Sequence, residues 1–114
     1  ILKGVYAELH DGNITFGRQA GSYPLLVGIP YKVELDRRYD VYITGWGFRS
    51  VTGVTYPFDI NHMPMSALSA LPGIGKKRAA SIAAARPFAS FEDLGRAIDD
   101  LDAVQGLKSI ITFG

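Results

Sequence analysis

Leu71-Pro72-Gly73-Ile74-Gly75-Lys76-Lys77-Arg78 joins a short apolar helix to a second helix through a turn with little side-chain bulk. Gly73 and Gly75 reach backbone angles closed to other residues, and they let another molecule approach the main chain. The second helix follows at once, so its first N–H groups lack intrahelical acceptors and its dipole presents a positive end. Lys76, Lys77 and Arg78 crowd that same end, where cations oppose the dipole. A phosphate resolves the conflict, because it accepts from the amides and offsets the cations.

Working outward, the spacing predicts a first helix over Met65–Leu71 and a second over Lys76–Arg86, with Ala79, Ile82 and Ala83 on its buried stripe. Pro87 ends the second helix. Ser90 reads as an N-cap with Asp93 in capping-box position, opening a third helix from Phe91 to about Ile98. Asp100 to Val104 reads as a last helical turn. Charge is partitioned along this half. Residues 61–90 hold Lys76, Lys77, Arg78 and Arg86 and no acid, whereas residues 91–105 hold Glu92, Asp93, Asp99, Asp100 and Asp102 against Arg96.

Before residue 61 the composition is different: rich in Gly, Tyr and Val, with alternating apolar positions. Val5–His10 alternates and is closed by the turn signal Asp11-Gly12-Asn13, and Ile14–Arg18 resumes a strand. Tyr23–Gly28 is a short apolar strand. Tyr39–Thr44 alternates until Gly45-Trp46-Gly47-Phe48 breaks it, and Val51–Tyr56 is the last strand. Short, closely spaced strands predict a small antiparallel barrel. The expected fold class is therefore α+β, with a β-barrel over residues 1–60 and a helical module over residues 61–114, packed on each other because neither buries much core alone.

Several function classes are excluded or disfavoured. Without cysteine there is no disulfide, thiolate zinc site or cysteine-ligated cluster within these 114 residues. His10 and His62 have no metal-ligand spacing, and no nucleophile, base and orienting group recur in a catalytic pattern. Asp99, Asp100 and Asp102 read as a charge run at a helix end rather than a magnesium cluster. No apolar run approaches the roughly 20 residues that span a bilayer and no signal peptide is visible, so a cytoplasmic location is expected. The chain opens at Ile1 without methionine, which suggests the C-terminal piece of a longer protein.

Ile60-Asn61, Leu68-x-x-Leu71-Pro72-Gly73-Ile74-Gly75, Ala79-x-x-Ile82, Arg86-Pro87-Phe88 and Phe91-x-x-Leu94 together resemble the helix-hairpin-helix family. The resemblance covers roughly residues 60–114 and implies DNA or RNA binding without sequence preference. It implies that the N–H groups of Gly73, Gly75 and Lys76, flanked by Pro72 and Ile74, hold a backbone phosphate, with Lys77 and Arg78 supplying charge. It also implies a monovalent cation on the carbonyls of Ser69, Leu71 and Ile74. A second hairpin, common in that family, would fall at Val104-Gln105-Gly106-Leu107-Lys108, which has one glycine and no basic helix after it.

The barrel is similar, more weakly, to the RNA-binding TRAM domain, through Gly17-Arg18, Tyr23–Gly28, Tyr39–Thr44 and Ser50-Val51-Thr52-Gly53-Val54. The order of the two modules resembles the C-terminal region of archaeal radical-SAM proteins. That implies no catalytic residue in this chain, and a 4Fe-4S cluster and S-adenosylmethionine in an N-terminal domain of the parent. The expected function is accessory binding of nucleic acid, structured RNA or single-stranded segments ahead of DNA. The alternative is a protein-docking module in which the acidic segment after Glu92 contacts the parent's catalytic domain and the hairpin is only structural.

On the barrel, Arg18 and Arg49 have no acid beside them in sequence and are the expected phosphate contacts, while Arg37-Arg38 reads as a turn neutralised by Asp36 and Asp40. Trp46 and Phe48 beside Arg49 would suit stacking on unpaired bases, and Trp46 is carried as a candidate contact. The competing reading, in which Trp46 closes one end of the barrel, is favoured from sequence. The six tyrosines are expected mostly in the barrel wall.

Overall fold

A computed structural model of the chain describes residues 1–19, 25–100, 102 and 105–114, in two compact units, Ile1–Tyr56 and Pro57–Gly114. The first unit is a closed barrel of β1 (Leu2–Asp11), β2 (Ile14–Gln19), β3 (Leu26–Ile29), β4 (Arg38–Gly47) and β5 (Ser50–Tyr56), in the order β1-β2-β3-β5-β4. Antiparallel pairing of Val5 with Tyr39 and Tyr6 with Arg38 closes the ring between β1 and β4. The barrel is not wholly antiparallel: β3 and β5 run parallel, with Leu26 opposite Ser50, Val27 opposite Val51 and Gly28 opposite Thr52. The reason is parity. Five is an odd number, and a closed ring whose neighbours all alternate in direction needs an even one. This closed five-strand barrel fits an OB/TRAM-like barrel.

Small branched side chains fill the barrel: Val5, Val27, Ile29, Val41 and Val54 are fully buried. Modest volume suits the narrow interior that few strands enclose. Among the described residues Thr15 is the buried polar exception, and it is satisfied, donating to the Tyr31 carbonyl at 2.9 Å and accepting from the Val33 amide at 3.0 Å. Tyr31 is buried, and its hydroxyl accepts from the Thr55 amide at 2.7 Å and is hydrogen-bonded to the Thr55 hydroxyl at 2.6 Å. Burial pushes the Tyr31 phenol above its ordinary value, opposed by those two hydrogen bonds. Tyr6, by contrast, stands on the outer surface and donates to Asp36 at 2.7 Å. Tyr23 lies outside the described residues.

The second unit runs β6 (Phe58–Asp59), α1 (Met65–Ala70), α2 (Gly75–Ala85), α3 (Phe91–Ile98), a 3-10 turn over Gln105–Leu107 and β7 (Ile111–Thr112). The boundary falls at Tyr56–Pro57 rather than after residue 60. Phe58 and Asp59 pair in parallel with Ile111 and Thr112, which draws the segment into the helical unit. Both α1 and α2 stop one residue short of the expectation for the same reason. Leu71 and Arg86 precede prolines and take extended angles, at ψ 137 and 155. The proline ring closes the helical region to the residue before it. Ser90 caps α3 as expected, accepting from the Asp93 amide at 3.3 Å. The expected turn at Asp100–Val104 lies largely outside the described residues. Leu68, Ile82 and Leu94, one from each helix, are fully buried, whereas Ala83 is only half-buried. Among the described residues no helix is long and apolar enough to cross a membrane.

Candidate nucleic-acid interface

The turn between α1 and α2 forms because Pro72 ends α1 and two left-handed glycines follow, Gly73 at φ 81 and Gly75 at φ 66. Ile74 lies between them, 5% exposed, as the apolar anchor of the turn. Its amide donates to the Leu71 carbonyl at 3.2 Å. Pro72, Gly73, Gly75, Lys76 and Lys77 are exposed around that anchor. Helix α2 starts at Gly75 with Ile74 as N-cap; among the described residues no side chain caps it, and no acid lies in its first turn. The amides at this end therefore face solvent or a ligand. Among the described residues neither Lys76 nor Lys77 has an ion-pair partner.

The other two cations of the acid-free block are committed. Arg78 is half-buried; one Nη donates to the Gly73 carbonyl at 2.6 Å and the other to Asp100 at 3.1 Å. Arg86 donates to the carbonyls of Ile60 and Met63, at 3.3 and 2.7 Å, and so ties the end of α2 to the chain ahead of α1. Asn61 makes a reciprocal pair with Phe88, donating from its amide group at 2.9 Å and accepting the Phe88 N–H at 2.7 Å. The resemblance included Arg86 and Asn61 without a role; the structure makes both of them braces of the hairpin.

The carbonyls expected to hold a cation keep some capacity. That of Leu71 accepts the Ile74 amide, and that of Ile74 stands where an N-cap carbonyl accepts the first intrahelical bond, so each retains one lone pair. Ser69 uses its hydroxyl on Ser66. Of the candidate second hairpin, Val104 is outside the described residues, and Gln105–Leu107 form a 3-10 turn with Leu107 buried.

On the barrel the structure corrects two expectations. Trp46 does not close it. Strand β4 runs through Gly45-Trp46-Gly47 with a bulge between Ile43 and Gly45, and carries Trp46 to the tip of the β4–β5 hairpin. There Trp46 is 76% and Phe48 89% exposed, and the Arg49 guanidinium lies 5.4 Å over the Phe48 ring. Arg18 is not free of acids: the β1–β2 pairing brings Glu8 to 3.8 Å from it. Arg37 is neutralised as expected, but by Glu34 at 2.6 Å, while Asp40 pairs with Lys3.

Elsewhere the chemistry is sparse. His62 meets Asp59 at 2.7 Å on an exposed surface, and His10 meets the Val33 carbonyl. Asp99 ends α3 at φ 55 and Asp100 is bound to Arg78; no group of three metal-ligating side chains occurs among the described residues.

The chain is 33% identical over 99 residues to an uncharacterized protein of Archaeoglobus fulgidus, an alignment covering 86% of this chain and 18% of that protein. It is 46% identical over 55 residues to the uncharacterized protein MJ0274 of Methanocaldococcus jannaschii, covering 46% of this chain and 10% of that protein. The chain thus spans less than a fifth of either archaeal relative. No protein-family model matches it, and neither does any solved structure.

Proposed function

We propose that this chain binds nucleic acid through the sugar-phosphate backbone, with the α1–α2 turn as a helix-hairpin-helix grip. The observation that carries the reading is the uncapped, acid-free start of α2 behind two left-handed glycines, with Lys76 and Lys77 exposed beside it. The amides of Gly73, Gly75 and Lys76 serve as donors, and the lysines supply counter-charge to an anion they do not find among the described residues. A monovalent cation on Ser69, Leu71 and Ile74 would add positive field at the same turn.

The barrel is read as a second contact. Trp46, Phe48 and Arg49 at the β4–β5 tip offer π-faces and one cation, and the equivalent loop of OB barrels is among those that bind oligonucleotides. Arg18 contributes less, because Glu8 offsets its charge. Such a surface favours RNA or DNA with unpaired bases. The catalytic partner is read from the resemblance as a radical-SAM domain carrying a 4Fe-4S cluster and S-adenosylmethionine, for which the relatives' greater length leaves room.

The test is a titration of the chain with a short RNA, a single-stranded DNA and a duplex, following backbone amide shifts at low and moderate salt. Shifts centred on Gly73–Arg78 that shrink as salt rises are expected, since phosphate contacts release counterions. No shift there with any of the three would overturn the reading and favour a docking module.

A further inference from the structure

Arg78 differs from its two basic neighbours in being held on both sides. Its guanidinium is planar, and its two Nη atoms are engaged at once, one on the Gly73 carbonyl and one on Asp100. The peptide unit it grips is the one between Gly73 and Ile74. That unit's N–H is already fixed on the Leu71 carbonyl at 3.2 Å, and Arg78 fixes its C=O at 2.6 Å. Glycine leaves this peptide free to rotate unless something outside holds it. The direction of the next amides, those of Gly75 and Lys76, follows from the orientation of this one unit.

We infer that Arg78 is a positioning residue: it locks the Gly73–Ile74 peptide so that the hairpin amides converge on one phosphate, and Asp100 sets the guanidinium's orientation. The inference rests on the phosphate-grip reading above, and it takes Arg78 out of the set of side chains that touch the ligand. It has a counter-intuitive consequence. Asp100 is an anion close to a site for a polyanion, so electrostatics alone says that removing its charge tightens binding. Positioning says that removing it loosens Arg78 and weakens binding.

The experiment measures affinity of the 114-residue chain for a labelled oligouridylate across a salt series, in the parent, Arg78→Gln, Arg78→Lys and Asp100→Asn. Thermal unfolding of each variant confirms folding. The inference expects Arg78→Gln and Arg78→Lys to lose affinity alike, about tenfold, as a charge-assisted hydrogen bond is worth. Lysine keeps the charge but not the two-pronged geometry. It expects an unchanged salt slope in both, and a weaker, not tighter, Asp100→Asn. In the absence of ligand, Ile74 amide exchange should accelerate in all three variants. Arg78→Lys binding like the parent, a slope lowered by about 0.7 in Arg78→Gln, or a tighter Asp100→Asn would each overturn the inference while leaving the grip intact. A parent that binds no oligonucleotide would instead overturn the grip, and the positioning role with it.

Discussion

Gly75→Val isolates what the hairpin backbone contributes. Gly75 sits at φ 66, and a Cβ built there meets nothing within 4 Å. A side chain at this position therefore clashes with no neighbour, and its cost is that of the left-handed backbone alone. That cost is about 1–2 kcal/mol for an ordinary residue, and a β-branched one is a marked outlier there. The free variant relaxes the turn to escape the strain, and restoring the donor geometry on binding costs it that energy back. Affinity should fall by about 5- to 30-fold or more. Gly75→Asn is the control, because asparagine tolerates left-handed angles, and it should bind close to the parent. Lys77→Ala removes one charge and leaves the amides in place, so its loss should be smaller and confined to the salt-dependent part. The assay is fluorescence anisotropy with a short labelled RNA, with amide spectra to confirm that each variant is folded. Gly75→Val binding like the parent would refute the argument, and so would Gly75→Asn losing as much as Gly75→Val.

With Lys76 and Lys77 as the exposed cations of the hairpin, it should contribute about −1.4 to the slope of log affinity against log salt on a single strand, and Lys77→Ala should halve that contribution. Trp46→Ala and Phe48→Ala should weaken single-stranded ligands by about 1–3 kcal/mol each, leave duplex binding alone, and barely move the thermal midpoint, since both rings are exposed. Asn61→Ala strands the buried Phe88 amide and carbonyl; denaturant unfolding should show a loss of about 1–3 kcal/mol. The Gly4 amide, followed by the Lys3 ammonium, holds the Asp40 carboxyl below the usual carboxylate range. A depressed folded value means that this stabilisation is complete above the unfolded value and is lost as pH falls through the folded one. Thermal melts against pH should show a flatter acid limb in Asp40→Asn.

The two-part organisation was legible because each half shows its own period: alternation along Val5–His10 and Tyr39–Thr44, and i, i+3 spacing at Ala79 and Ile82. The helix ends moved by one residue because proline constrains the residue before it, a rule that is itself written in the sequence at Leu71-Pro72 and Arg86-Pro87. Two-residue strands such as β6 and β7 carry no periodicity, so nothing local announced that Phe58 would pair with Ile111. That some pair must run parallel was implicit in a count of five strands and a closed ring, but that the pair is β3 with β5 depends on the strand order, which the count does not give. Trp46 misled because the strand is longer than its alternating stretch. A large apolar ring after an alternating strand is expected inside, yet the strand runs on past the core and carries Trp46 out to the hairpin tip.

The candidate site was legible in its backbone geometry and less so in where its charges go. Glycine is the residue that can take left-handed angles in a tight turn, and both Gly73 and Gly75 take them. A row of cations says nothing about where each guanidinium or ammonium goes. Long basic side chains reach well beyond their own turn, and loop carbonyls such as those of Ile60, Met63 and Gly73 compete with any ligand for them. Arg86 went to Ile60 and Met63, and Arg78 to Gly73 and Asp100, so two of the four cations in the acid-free block hold the protein to itself. Under the proposed phosphate grip, that halves the charge available to the ligand and shifts the burden of binding to the amides. It follows that affinity at this turn should respond more to backbone geometry than to charge count, which is the ordering that Gly75→Val and Lys77→Ala put to the test.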